Sequence, residues 1–538
     1  MIYSMLVPIL FPVIAGLFLL VMKEPKKRKV LLGITGAALL ATGAFVVHAL
    51  FRVNGKDVIL FRLTVSLPVY LKPDGLGLLF MAVVSVVWIP AAFFAFSYMK
   101  PEEETDGKFN GEPGEKSRKE SHGSKKGNGE KRFYGFYLIV YGILNGLGLA
   151  GNLVTFYIFY ELMTLFSMPL VIHTRSREAV MASLKYLFYS FLGAYMVLFG
   201  LFFLNRFGNT LTFTPGGVLD KGMAAGNEGL LLVTAFLMLL GFGVKSGMFP
   251  LHAWLPTAHP VAPAPASAVL SSVIVKAGVL GIIRVVYYMF GAEFLRGTWV
   301  QTVWLVFVLI TVFMGSMLAY REKLLKKRLA YSTVSQASYI LFGLALLQPA
   351  AMEGAMLHLV FHALIKSVLF LAAGAVIHRT GKTRVEELTG IGKEMPGTIW
   401  CFAFASLALI GIPPTSGFIS KWYLAAGALD SGTGVFAWLG PVVLLVSALL
   451  TAGYLLPIVM KGFFPGEGYD YKECQFQKDK RQEYNRSGEI EKKKGFFTVK
   501  EDPYMLIPVM LLTALAVGLG IWPNPLIEYI SGIVAGIL

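Results

Sequence analysis

Lys245, Lys276, Lys366 and Lys421 each stand inside a long apolar run, and Glu161 is the sole carboxylate of another. An ammonium at the centre of a membrane-spanning segment costs about 2.5–3.5 kcal/mol on insertion scales, so charges in such places point to an ion or proton path. Glu161 lies in Thr155-Phe-Tyr-Ile-Phe-Tyr-Glu-Leu-Met-Thr-Leu-Phe166 and is the natural counter-charge for Lys245. Burial favours the neutral form of both groups, and pairing favours the charged form of both. A lysine that gains or loses its glutamate partner therefore moves between holding a proton and releasing it. The alternative use of the same pair is a fixed bridge that only joins two helices.

His358, His362 and Lys366 follow at a spacing of four, which puts them on one face of a helix. Histidine titrates near neutrality and suits a proton relay; the plainer reading of each is a hydrogen-bonded core histidine. Lys185 lies about two turns into its span, close enough to an end to snorkel. His252 and His259 flank Trp254-Leu-Pro256 and are read mainly as shaping a turn, with His252 a secondary candidate for the path. Three prolines mark helix breaks. Pro250 cannot donate to the carbonyl of Ser246, and Pro413 and Pro414 leave those of Leu409 and Ile410 free. Free carbonyls at membrane depth are tolerated only where protein or water satisfies them.

Several chemistries are excluded. The paired histidines have lysine neighbours and no His-Glu-x-x-His or Cys/His cluster, so no metal site is expected. With two cysteines, Cys401 and Cys474, and no Cys-x-x-Cys, an iron–sulfur cluster has no ligand set. No Walker motif occurs, and the one Gly-x-Gly-x-x-Gly (Gly146 to Gly151) lies in an apolar stretch, where close helix packing is its use. No cofactor is expected in this chain, and any redox chemistry belongs to another.

The elements that position these residues follow from composition. Of 538 residues 56% are hydrophobic and only 15% charged, which a soluble chain of this length does not sustain. The expected fold is all-α and polytopic, with about fourteen spans at roughly 4–22, 30–50, 75–98, 133–150, 152–173, 180–205, 228–250, 264–290, 299–319, 327–347, 351–377, 398–428, 434–460 and 504–532. The strongly basic loops (Lys23–Lys29, 100–132, Arg175–Arg177, Arg321–Arg328, Arg379–Lys393 and Lys461–Lys500) follow odd-numbered spans, while 251–263 has no Lys or Arg and 51–74 only a scattered few. That alternation puts the basic loops in the cytoplasm and both termini outside a cell membrane. It also accounts for the net charge of +16 without nucleic acid.

The chain divides into an N-terminal part (1–98), a hydrophilic cytoplasmic insert (99–132), two five-span blocks (133–290 and 299–460), a second hydrophilic cytoplasmic loop (461–503) and a last span (504–538). Both hydrophilic stretches read as solvated linkers, although Phe476, Tyr484 and Phe496–Phe497 could dock on a partner. The broken spans, seven and twelve, each stand fourth in their block. Consecutive blocks of five insert with opposite topology, and broken helices at matching places in inverted repeats point to an ion site at the midplane.

Four segments carry a resemblance. Lys245-Ser-Gly-Met-Phe-Pro-Leu-His-Ala-Trp-Leu-Pro-Thr-Ala-His-Pro, continuing to Lys276 and Arg284, resembles the signature of the antiporter-like subunits of complex I (NADH-quinone oxidoreductase), of Mrp-type Na⁺/H⁺ antiporters and of membrane-bound hydrogenase-type complexes. Leu325–Gln336, His358–Phe370 and Gly411–Trp422 are similar to further segments of that family, in order, over roughly residues 70–460. The resemblance implies fourteen helices with two inverted five-helix repeats. It also implies a pathway role for Glu161, Lys245, Lys276 and Lys421. Lysine at both 276 and 421 looks closer to the Mrp D-type pattern than to the complex I M-type, which ends its path on glutamate. Thr257 departs from the family's usual aspartate.

The function implied is an ion-translocating subunit within the bilayer. Its partners would be other antiporter-like subunits and a redox module in separate chains. A neighbouring subunit would separate Glu161 from Lys245, and the proton would then pass along Lys276, the His358/His362/Lys366 face and Lys421. A stand-alone Na⁺/H⁺ antiporter subunit uses the same channel and is the alternative. A non-conducting scaffold is disfavoured because the charged line is complete.

Overall fold

In lipid a backbone can satisfy its polar groups only internally, and long apolar runs accordingly become helices. The computed structural model describes residues 2–23, 27–52, 57–64, 67–100, 128–466 and 501–538. Most of the two hydrophilic stretches, with Cys474, Phe476, Tyr484 and Phe496–Phe497, lies outside the described residues. The main helices are α1 (Ile2–Val21), α2 (Arg28–Arg52), α3 (Gly75–Tyr98), α4 (Asn128–Gly148), α5 (Leu153–Val171) and α6 (Arg177–Phe207). Next come α7 (Glu228–Ser246), the short α8 (Leu255–Val261), α9 (Ala264–Phe290), α10 (Trp299–Arg321), α11 (Leu325–Ala345) and α12 (Pro349–Thr380). The chain ends with α13 (Pro396–Ile410), α14 (Ser416–Leu429), α15 (Val435–Phe463), α16 (Pro503–Ile521) and α17 (Asn524–Ala535).

Among the described residues, ten helices are long and apolar enough to cross a membrane: α2, α3, α5, α6, α7, α9, α10, α12, α15 and α16. Two shorter apolar helices, Met5–Val21 and Pro396–Ile410, accompany them. The protein is thus a mostly helical, multi-pass membrane protein.

Three expectations need correction. The fold is not all-α: residues 57–71, expected as a loop, contain an antiparallel hairpin of β1 (Val58–Thr64) and β2 (Leu67–Leu71). Its β-branched and aromatic residues suit strands, and Gly151 N–H donates to Tyr70 O at 3.1 Å while Lys72 N–H donates to Leu149 O at 2.8 Å, pinning the hairpin to the α4–α5 junction. The last expected span stops at Ile521, because Trp522–Pro523 interrupts it before α17. The seventh ends earlier than Pro250, at Gly247, whose φ of 73° is the left-handed cap that glycine tolerates.

Helices α9 and α12 form the centre. Every residue of α9 is buried, and α12 is buried over nearly its whole length, against α11, α13, α14 and α16. Peripheral helices instead expose large apolar residues, for example Phe188, Tyr195 and Phe202 on α6 and Trp438, Leu445 and Leu449 on α15, as lipid contact requires. Two π-helical stretches, Leu270–Ile274 and Arg284–Phe290, interrupt α9 on either side of Lys276.

One ion pair fixes this central helix. Arg284, 1% exposed, meets Asp74 through Nη1–Oδ2 and through Nη2–Oδ1 at 2.8 Å. Asp74 also caps α3, its Oδ1 accepting from Gly77 N–H at 2.8 Å. The Phe213 and Tyr288 rings lie 4.6 and 4.7 Å from the guanidinium carbon. Asp74→Asn keeps a cap but strands a buried cation. We expect it to lower stability by about 3 kcal/mol, the lower end for breaking a buried pair because Asp74 is partly exposed. A thermal-unfolding midpoint in detergent unchanged from wild type would contradict this.

Candidate functional site

Lys245 occupies the last turn of α7 and is fully buried. Its ammonium donates to Tyr186 Oη at 2.7 Å and to Ser190 Oγ at 2.8 Å, both on α6. Tyr186 and Trp254 also present their rings, with centroids 4.0 and 5.7 Å from Nζ. Trp254 is locked in turn, since its indole N–H donates to Val244 O at 2.7 Å, a carbonyl in the last turn of α7. Glu161 lies on α5 within electrostatic range of Lys245, but the two form no direct ion pair. Glu161 Oε1 is buried with no hydrogen-bond partner. The side chain expected to neutralise Lys245 is therefore nearby, while neutral hydroxyls hold the amine.

Lys276 follows the first π turn of α9, and its Nζ donates to Ser271 O at 2.7 Å. Ser271 Oγ lies 2.7 Å from Thr333 Oγ1 on α11, and Thr333 donates to Leu329 O at 3.0 Å. Lys366 on α12 reaches the same place, donating to Leu329 O at 3.1 Å and to Ser332 Oγ at 2.7 Å. Lys276 and Lys366 thus meet through one polar stretch of α11, and Ser367 Oγ donates to Ser272 Oγ at 2.7 Å alongside.

His358 and His362 stack 5.8 Å apart at 8° on the buried face of α12. His358 Nδ1 lies 2.9 Å from Ser420 Oγ, beside Lys421, while His358 Nε2 and both nitrogens of His362 are buried without a partner. Both side-chain amide atoms of Gln336 are likewise unpartnered. His362 lies within electrostatic range of Lys276, Lys366, His358 and Lys421. Leaving a buried polar atom unsatisfied costs about 1–3 kcal/mol, so this cluster suits water as a partner.

Lys421 sits where α13 and α14 meet. Gly411, with φ 88°, ends α13, and Lys421 Nζ donates to Leu409 O at 2.7 Å and Ile410 O at 2.8 Å. These are the carbonyls that Pro413 and Pro414 deprive of a backbone donor. Close approach of the two helices depends on Gly417, where a Cβ would lie 1.8 Å from Ala408 O.

Lys185 is half-buried on α6 within electrostatic range of His252, whose Nδ1 has no partner, and neither joins the hydroxyl network. His259 packs at 4.9 Å on Phe370. The glycine run of α4 does pack closely: a Cβ on Gly146 would lie 2.3 Å from the Phe159 ring. Sequence reading missed Tyr186, Ser190, Ser271, Ser332, Thr333 and Ser420. A usable signal existed for α11, whose Tyr331-Ser-Thr-Val-Ser-Gln336 is unusually polar for an apolar bundle.

Residues 150–451, more than half of the chain, match the family described as NADH:quinone oxidoreductase/Mrp antiporter, TM. The chain is 34% identical over 335 residues to the N-type subunit of the NADH-quinone oxidoreductase of Desulforudis audaxviator, covering 62% of this chain and 65% of that protein. It is 26% identical over 526 residues to the D-type subunit of the Na⁺/H⁺ antiporter of Alkalihalophilus pseudofirmus, covering 97% and 95% respectively. The chain thus spans less than two thirds of the first relative and nearly all of the second. It shares the fold of a chain in the Mrp complex from Dietzia, with a TM-score of 0.79 at 23% identity over 100% of this chain and 97% of that one.

Helix α9 passes Lys245 at Gly278, where a Cβ would come 2.6 Å from Phe242 O and 2.8 Å from Lys245 Cβ. Gly278→Ala should overpack this contact and destabilise by about 1–3 kcal/mol. A wild-type unfolding midpoint would show that α7 and α9 are not so closely apposed.

Proposed function

The chain belongs to the NADH:quinone oxidoreductase/Mrp antiporter transmembrane family, and on that premise we propose that it moves protons, or exchanges Na⁺ for H⁺, across a cell membrane as one subunit of a larger complex. The observation that carries this reading is the set of four lysines, 245, 276, 366 and 421, each buried or nearly so and each held by hydroxyls and carbonyls. A proton entering at Lys245 passes to Lys276, past the polar stretch of α11 to Lys366, and along His362 and His358 to Lys421. Water bridges the steps that no direct hydrogen bond spans. Glu161 acts first, its approach to Lys245 or retreat from it deciding whether the amine keeps its proton. Lys185 and His252 are secondary candidates near the entry.

The finer architecture belongs to the same reading: fourteen spans, inverted repeats over 133–290 and 299–460, basic loops in the cytoplasm and termini outside. What supports the repeat is that each block carries a helix ended by a left-handed glycine, Gly247 or Gly411, with a lysine at the break. The partners are further antiporter-like membrane subunits and, in the reading we favour, a separate redox module whose reaction drives the movement. A second reading, one component of a stand-alone multisubunit Na⁺/H⁺ antiporter, is favoured by the near full-length match to the Alkalihalophilus pseudofirmus protein. Purification of the assembled complex with identification of its subunits separates the two: iron–sulfur or nickel-binding partners mean a redox drive, and small hydrophobic subunits alone mean an ion gradient.

Glu161→Gln tests the reading itself. In the assembled complex reconstituted in vesicles we expect transport to fall about tenfold or more, the equivalent of some 1.4 kcal/mol in the barrier. Transport at the wild-type rate would overturn the role given to Glu161.

A further inference from the structure

The chemistry around Lys245 is arranged in one direction. Its ammonium donates to Tyr186 Oη at 2.7 Å; Tyr186 Oη lies 2.8 Å from Ser167 Oγ, and Ser167 Oγ donates to Thr164 O at 3.2 Å. With that carbonyl as the terminal acceptor, Ser167 accepts from Tyr186 and Tyr186 accepts from the lysine. Tyr186 is fully buried and its ring packs 4.9 Å from Trp254, which is fixed by its own hydrogen bond to Val244 O. The tyrosine is thus rigid, and its hydroxyl and ring face both address the same ammonium. Ser167, which accepts from it, is on α5, the helix that carries Glu161.

We propose that Tyr186 is a positioning residue, a berth that holds the Lys245 amine apart from Glu161 and couples its release to movement of α5. Lys245 has two places to go. One is the berth of Tyr186 and Ser190, which it occupies; the other is the carboxylate of Glu161, whose buried Oε1 has no partner. Because Glu161 and Ser167 ride on the same helix, a displacement of α5 that brings the carboxylate to the amine also disturbs the Ser167–Tyr186 bond. The loss of the berth and the gain of the ion pair are then one event. This rests on the proposed role of Glu161 and Lys245, and adds the residue that sets the balance between their joined and separated states.

The test uses the assembled complex in vesicles, with Tyr186→Phe keeping the ring against Trp254 and removing only the hydroxyl. Without its berth the amine settles on Glu161. The infrared band of that carboxyl, assigned by its absence in Glu161→Gln, should move toward an ion-paired carboxylate, a change that a purely structural role would not produce. Transport should fall about tenfold, as expected for loss of one hydrogen bond to a charged group. Ser167→Ala, which leaves every contact of the amine in place, should move both readouts in the same direction by less, and it decides the matter if Tyr186→Phe does not assemble. If Glu161→Gln abolishes transport while Tyr186→Phe and Ser167→Ala keep the wild-type band and rate, the berth is wrong and the path stands. If Glu161→Gln transports normally, the underlying reading fails and takes the berth with it.

Discussion

Burying an ammonium with no carboxylate against it is the constraint on which this structure turns. A lysine at membrane depth costs about 2.5–3.5 kcal/mol, and a hydrogen bond to a charged group returns about 1.5–3 kcal/mol. Two such bonds return about 3–6 kcal/mol, enough to offset the cost, and Lys245, Lys366 and Lys421 each make two. Among the described residues none of the four central lysines forms an ion pair within 4.0 Å. A carboxylate at 4 Å would add about 4 kcal/mol even in a protein-like dielectric, enough to fix the proton in place. Hydroxyls and carbonyls instead hold each amine without a fixed counter-charge, the arrangement that the proposed relay requires.

The backbone supplies many of these acceptors, and for Lys276 and Lys421 it does so where regular helix fails. Gly411 ends α13 and presents Leu409 O and Ile410 O to Lys421, and the π turn of α9 contains the carbonyl that receives Lys276. At Gly247 the freed end of α7 is taken by Trp254, which also forms one wall of the Lys245 berth. Glycines at 278 and 417 let the interrupted helices lie close enough for single side chains to span them. The Asp74–Arg284 pair anchors the C-terminal part of α9, so that its kinked course is held at a fixed point. Breaks, glycines and lysines form one device, each without use alone.

The sequence exposed the parts of this device that are expensive or rare. A lysine or glutamate inside an apolar run is conspicuous because insertion penalises it, and prolines at 250, 413 and 414 announced the breaks within a few residues. The carbonyls reached by Lys421 could be named in advance, because proline removes a known donor. The hydroxyl scaffold could not. Serine, threonine and tyrosine are ordinary residues of membrane helices, and which of them face Lys245 or Lys366 depends on how helices distant in sequence are rotated against each other. Tyr186 meets Lys245 across 59 positions, and Arg284 meets Asp74 across 210. The hairpin at 58–71 was hidden differently: ten of its fourteen residues are apolar, but a short apolar run by itself does not separate a strand from other buried segments. At Trp522–Pro523 the apolar pattern continues through the break, so hydropathy alone joined two helices into one.

On the proposed path Lys276 is the link between Lys245 and the polar stretch of α11 that Lys366 also reaches. The most direct measurement is proton movement by the assembled complex in sealed vesicles, followed with a pH-sensitive dye, for wild type and Lys276→Met at matched incorporation. A buried proton line predicts that the variant assembles with its partners yet moves protons no faster than the vesicle leak. Proton movement at the wild-type rate would contradict it.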